Sequence, residues 1–288
     1  MPKINWKEYN EKLVKRGEIL FSTEFIENWK RELDSMNERK RGHPYEYPNS
    51  FMQFLASIRY YCHLDYRTLE GFCRSLSRIL DIPAPDHSTI HKRAPRLDFT
   101  PPAVNSEEIV IAVDSSGIKV HNRGEWMREK YRRRRGWIKI HFAVDVETKQ
   151  VVAYEVTDEQ VHDNKVFKDL VEKSEERAKV RRVLADKAYD SYENFEFLQS
   201  RDIDPAIPVR KGAIDILKHP RSEEARKQKD FDGWKEEKKY GLRWAVETAY
   251  SVFKRCFGEF VSARKQDYMV KEIAAKVWIY NSLRAVLC

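Results

Sequence analysis

Cysteine is scarce in this sequence: Cys62, Cys73, Cys256 and Cys288 are the only four in 288 residues, and no two of them form a C-x-x-C pair. That spacing provides neither a disulfide framework nor a structural zinc site, and it suits a reducing compartment. Long apolar runs are missing as well. No stretch approaches the roughly 20 apolar residues that cross a bilayer, and the opening MPKINWKEYNEKLVKRGEIL is broken by charges throughout. No membrane partner is expected, and the chain reads as cytoplasmic. The histidines lack the H-E-x-x-H spacing of a helical zinc site. There is no internal repeat and no low-complexity linker. Charge is plentiful instead: 54 Lys and Arg stand against 46 Asp and Glu, for a formal charge of +8 and a pI near 9.1. That excess favours a polyanionic partner.

The pattern changes at the proline-bearing stretch RAPRLDFTPPAV, which places a domain boundary near residue 100. Residues 1–100 carry apolar positions at helical spacing, as in Phe51 to Tyr61 and Tyr66 to Leu80, and read as an all-α domain. Residues 101–288 read as α/β. Three β-branched or aromatic runs, Glu108 to Val113, Trp137 to Val146 and Gln150 to Val156, predict strands, the last two as a hairpin. Helical stretches near Asp163 to Ala178 and Ser191 to Ser200 then alternate with strands at Arg182 to Ala185 and Ile203 to Val209. This order suits a mixed sheet with flanking helices, in the ribonuclease-H-like arrangement. A segment at about 210–239, with ten basic and seven acidic side chains, reads as an exposed insertion. Helices from Tyr240 to Phe257 and from Asp267 to Val286 follow.

Acidic residues fall at informative places on this scaffold. Asp114 ends the first strand and Asp186 the fourth, at the sheet edge where open α/β folds receive ligands, so the two could share a divalent cation. A third carboxylate must come from a helix. On a wheel of about 100° per residue, Arg243, Glu247 and Lys254 fall within about 60° of Tyr240. Leu242, Ala245, Val246, Ala249, Val252, Phe253 and Phe257 gather on the far side. Taken singly, each has a plain structural reading: Arg243 and Glu247 as an i,i+4 pair, Asp114 as a turn residue, Asp186 as a helix cap. The three carboxylates in this order on this scaffold point to a metal-dependent site.

These residues resemble the DDE transposases of prokaryotic insertion sequences, in the branch with a tyrosine-arginine-glutamate-lysine signature. Tyr240, two residues, Arg243, three residues, Glu247, six residues and Lys254 match that signature at every spacing. VDSSGIK around Asp114, KIHFAVD at Lys139 to Asp145 and DKAYDS around Asp186 resemble the blocks of the insertion sequence five type. Ala188 departs from the glycine that many relatives carry after the second aspartate. The resemblance implies a catalytic and metal-binding triad of Asp114, Asp186 and Glu247. It further implies two Mg²⁺ ions, with Mn²⁺ as a substitute, because hard carboxylate oxygens suit such ions. Its implied partners are double-stranded DNA, as terminal inverted repeats and target, and a second copy of the chain in the DNA complex. Tyr240, Arg243 and Lys254 would contact phosphates.

Further DNA contacts are expected from the basic segment His121 to His141, which has eight Lys or Arg against two Glu and includes Arg132, Arg133, Arg134, Arg135 and Lys139. The helix Tyr66 to Leu80, the turn DIPAP and a new start at Asp86 suggest a helix-turn-helix, with Ser88, His91, Lys92 and Arg93 reaching DNA. One of Trp126, Trp137, Trp234 and Trp244 is a candidate for stacking on an unpaired base. Two rivals are a nuclease of the same fold that does not join strands, and a DNA-binding descendant without catalysis. A strand-transfer assay separates the first; the second would be expected to have lost a carboxylate, and none is missing.

Overall fold

The computed structural model describes residues 5–102, 104, 106–121, 136–210 and 218–286. It divides into two compact units, Met1–Thr100 together with Lys265–Cys288, and Pro101–Arg264. The first begins with five helices: α1 (Trp6–Leu20), α2 (Glu24–Asn37), α3 (Asn49–Tyr61), α4 (Tyr66–Leu80) and α5 (His87–Arg93). Side-chain caps set several starts. The Asp65 carboxylate accepts the Arg67 and Thr68 N–H groups at the head of α4, and Asp86 accepts the Thr89 N–H at 2.6 Å at the head of α5. The Phe25 ring lies 5.0 Å from Phe51 and 4.9 Å from Phe54, and this aromatic group, with Leu55 and Leu69, seeds the helical core.

The second unit is built on a mixed sheet. Its strands are β1 (Glu108–Val120), β2 (Trp137–Asp145), β3 (Val151–Asp158), β4 (Lys179–Ala185), β5 (Asp204–Ala206) and β6 (Phe260–Val261). The order is β3-β2-β1-β4-β5, with β1, β2 and β3 antiparallel and β4 and β5 parallel to β1. Helices α6 (Phe167–Glu175) and α7 (Tyr192–Ser200) cover one face around Ile111, Val113, Leu170 and Phe195. On the same unit lie α8 (Pro220–Lys227), α9 (Phe231–Glu237) and α10 (Trp244–Phe257), the last packed against β1 and β2. Gly258, at φ +73°, ends α10 in a conformation that a β-carbon would strain. The arrangement is consistent with the ribonuclease-H-like order expected above.

Several expectations are corrected. β1 does not stop at Val113 but runs on to Val120, because β2 pairs with it from Ile111 to Lys119 and β6 pairs at Lys119 and Val120. Asp114 therefore lies within β1, directly after Val113, where the parallel pairing with Ala185 of β4 ends. The strand foreseen over Ile203 to Val209 is only Asp204–Ala206. The charged segment at 210–239 is not a merely exposed insertion. Its α8 and α9 bury Arg221, Glu224, Trp234 and Lys238, each no more than 5% exposed, because a tryptophan anchor and opposed charges let it pack. Residues 211–217 of that segment lie outside the described residues.

The last helix, α11 (Gln266–Ala285), belongs with the first unit, whereas the sequence boundary had put it in the second. Buried positions run round it, from Met269 and Ile273 to Val277, Ile279 and Tyr280, as expected of a helix enclosed by others. Its Glu272 and Lys276 form a buried ion pair at 2.9 Å, and the Trp278 ring lies 5.8 Å from Phe99.

Candidate active site

Parallel pairing ends at Val113 opposite Ala185, and each partner is followed by an aspartate, Asp114 and Asp186. Neighbouring strands lie about 4.8 Å apart, so the pairing register alone delivers both carboxylates to one place. From Asp114 to Ile118 this edge of β1 has no strand partner among the described residues, which leaves it open. Asp114 accepts the N–H of Ser115 at 2.8 Å, and Asp186 turns the chain into a short 3₁₀ segment by accepting the N–H of Ala188 at 2.7 Å.

Glu247 joins them from the first turn of α10. The Arg243 guanidinium lies between, 3.6 Å from one Asp114 oxygen and hydrogen-bonded to Glu247. Burial raises the pKa of Asp114. The Ser115 N–H and Arg243 oppose that rise, while the negative charges of Asp186 and Glu247 add to it. The three acids thus share one electrostatic neighbourhood. Tyr240 is in it too: burial raises its phenol, Arg243 lowers it, and all three carboxylates raise it. Its hydroxyl donates to the Ala185 carbonyl at 3.2 Å, one residue before Asp186.

As the side chains lie, with Arg243 between Asp114 and Glu247, no group of three His, Cys, Asp or Glu among the described residues is tight enough to grip a metal ion. The donor chemistry nonetheless fits a hard divalent cation. The donors are carboxylates, burial with a smaller push from their mutual repulsion holds Asp114 above its ordinary range, and one arginine is a partial counterweight to three acidic groups.

Tyr240 to Arg243 form a 3₁₀ turn rather than the first turn of a regular helix. Leu242, expected on the buried stripe, is consequently exposed. Lys254 lies seven residues beyond Glu247 on the same helix, half-buried. Lys139 is not on an open surface: its ammonium is 3.0 Å from Asp163 and donates to the Val161 carbonyl at 2.9 Å. Arg132 to Arg135 and Trp126 lie outside the described residues. In α5, Lys92 is exposed and the His91 ring stacks on Tyr268 at 5.8 Å. Arg93 donates to Asn49 at 2.7 Å, and the Ser88 hydroxyl donates to the capping Asp86. Of the tryptophans, Trp234 is buried and donates to Glu224, and the Trp137 ring covers Gly117. Trp244, beside Arg243, is 48% exposed, with the Lys149 ammonium 4.2 Å over its ring.

Three residues here were not singled out from the sequence. Tyr250, buried on α10, bonds the main chain at Asp114 and Phe142. The His141 Nδ1 and the Tyr189 hydroxyl are buried without a hydrogen-bond partner among the described residues.

Residues 105–282 match the family model described as "Transposase DDE domain". The chain belongs to the DDE transposase family. Residues 14–123 match a second model of the same description. Among solved structures, the chain is similar to one described as a cryo-EM structure of the piggyBac transposase synaptic complex with hairpin DNA. That likeness covers 93% of this chain and 73% of the other, at 12% identity and a TM-score of 0.41. Asp114, Asp186 and Glu247 all lie within the matched residues and share one electrostatic neighbourhood.

Proposed function

We propose that this DDE transposase is an insertion-sequence enzyme of the insertion sequence five type, with a ribonuclease-H-like catalytic unit and the Tyr240-Arg243-Glu247-Lys254 signature. In this reading it binds the terminal inverted repeats of its element, cuts DNA at their ends and joins the freed ends to target DNA. The observation that carries it is the convergence of three acidic side chains from two adjacent strands and one helix, offset by a single arginine.

Asp114, Asp186 and Glu247 would hold Mg²⁺, or Mn²⁺ in its place, with two ions per site. When bound, the cations supply charge stabilisation for the attacking and leaving oxygens of an in-line displacement. The rest falls to the protein. Arg243 can turn its fork from the carboxylates to the non-bridging oxygens of the phosphate under attack. Lys254 adds a point charge further along the helix, and Tyr240 supports the Asp186 turn from the Ala185 carbonyl.

In the first step a water oxygen bonds to phosphorus and the P–O3′ bond breaks, leaving a 3′-OH. That hydroxyl then attacks a target phosphodiester, one P–O bond replacing another, so no further co-reactant is needed. Trp244 offers an exposed face for an unpaired base near the cut. The helical unit, with α4 and α5 in helix-turn-helix order, serves repeat recognition through Ser88, His91, Lys92 and Arg93. Two copies acting on paired ends, in association with the nucleoid, complete the reading.

The test uses purified protein, Mg²⁺ or Mn²⁺, and DNA carrying the inverted repeats that flank its own gene. Nicked ends together with joined products are expected. Cut ends that never join would reassign the protein as a nuclease, and intact DNA under both metals would overturn the catalytic reading.

A further inference from the structure

Tyr250 sits three residues after Glu247, one turn along α10 on nearly the same side. Its ring lies flat on Phe142, with centroids 4.7 Å apart and 8° between the planes. Its hydroxyl reaches the backbone seam where β1 meets β2, at the paired residues Asp114 and Phe142. The oxygen accepts the Phe142 N–H at 3.0 Å, and its one proton is shared between the Asp114 carbonyl at 2.8 Å and the Ile140 carbonyl at 3.1 Å.

Phenylalanine would fill this volume without needing a partner for a buried hydroxyl. Apolar packing is non-directional and lets a helix slide along a sheet, whereas a hydrogen bond fixes both distance and direction. Here the fixed point on the sheet is the main chain of a proposed metal ligand, and the fixed point on the helix is one turn from another.

We propose that Tyr250 is a positioning residue: by bonding the main chain of Asp114, it sets the register between the helix that carries Glu247 and the strand that carries Asp114. The separation of the two carboxylates, and with it their grip on a divalent cation, follows from that register. The inference rests on the catalytic reading above and adds to it a residue outside the four-residue signature.

Tyr250→Phe in the full chain keeps the ring and removes only the oxygen. Mn²⁺ binding followed by electron paramagnetic resonance is expected to shift to about tenfold higher metal, and the maximal cutting rate at saturating DNA to fall about 10- to 100-fold. The DNA concentration for half-maximal rate stays unchanged, and the melting temperature drops by only about 2–5 °C. Phe253→Leu loosens the same helix where it meets Phe142 without touching Asp114. It should lower the melting temperature and leave the Mn²⁺ midpoint in place. If Tyr250→Phe behaves like Phe253→Leu, the positioning role is overturned.

Amide exchange in the wild type is a check that needs no variant. The Phe142 N–H should be strongly protected, and rapid exchange there would remove the contact on which the proposal stands. A wild type that neither binds Mn²⁺ nor cuts overturns the catalytic reading and this proposal with it. A wild type that does both, beside an unchanged Tyr250→Phe, overturns the positioning role alone.

Discussion

Asp204 and Asp114 are half-buried carboxylates on the same sheet, and burial pushes the pKa of each upward. For Asp204 the push is overcome. Lys238 and the Arg182 Nε, the latter at 2.5 Å, bond it directly, and its pKa ends below the ordinary value. Lys238 also lies 3.5 Å from the buried Glu224, and nearby Arg221 forks onto Asp190 with two bonds of 2.6 Å. Cations and anions are matched in that region. For Asp114 the balance tips the other way, because Arg243 and one N–H face burial together with two further carboxylates. Desolvation is common to both; what differs is the supply of partners. A balanced group holds the fold together, and an unbalanced one is left to be neutralised by a proton or, in the function proposed above, by a cation from outside.

The largest effects that test this contrast lie at the unbalanced group. Asp114→Asn, Asp186→Asn and Glu247→Gln are each expected to reduce cutting by about a thousandfold or more while DNA binding in a gel-shift assay persists. Asp114→Asn should also melt no lower than wild type at neutral pH. A raised carboxylate pKa in the fold means that ionisation costs stability as pH rises above the unfolded value, and a neutral isostere avoids that cost. Undiminished cutting would remove the residue from the triad, and a large fall in melting temperature would make Asp114 a structural partner instead.

At the balanced group the order reverses. Lys238→Met removes the buried cation beside Glu224, leaving it Trp234 and the more exposed Lys227, and weakens the hold on Asp204, at a cost of about 3–5 kcal/mol in denaturant unfolding. A loss below about 1 kcal/mol would make the network surface decoration.

The smallest expected effect sits at His141 in β2, paired with Ser115 of β1. Burial drives His141 down to about 4, with Asp163 opposing that shift and Lys139 adding to it. Between that value and the ordinary imidazole pKa the unfolded chain binds more protons than the folded one, so stability should rise with pH across this window. Melting curves from pH 4 to 7 should therefore flatten in His141→Gln; an unchanged slope would assign the titration to other groups.

Much of this was legible in the sequence. The strand cores are β-branched runs, and the signature spacing put Glu247 on the charged stripe of its helix. The misses have physical causes. Asp114 read as a strand-ending turn residue, but pairing with β2 on one side holds Ser115, Ser116 and Gly117 extended beyond it, an override of local preference by pairing. The charged segment read as solvated because its partners lie elsewhere in the chain: Arg221 bonds Asp190, and Lys238 bonds Asp204. Tyr250 falls at the margin between the two stripes of its helix, where a wheel assigns no partner. Helical periodicity shows that α11 is a helix but not which core it enters.

That last helix has a consequence for how the protein is made. The helical unit is opened by the first hundred residues and completed by the last stretch, with the whole sheet-bearing unit inserted between them. Because a chain emerges from its amino end, the catalytic unit is fully synthesised before the helical unit receives Ile273 and Val277, two of its innermost side chains. A fragment ending at residue 100 therefore lacks part of its own interior, and α4 and α5 expressed that way would be tested in a body that has never closed.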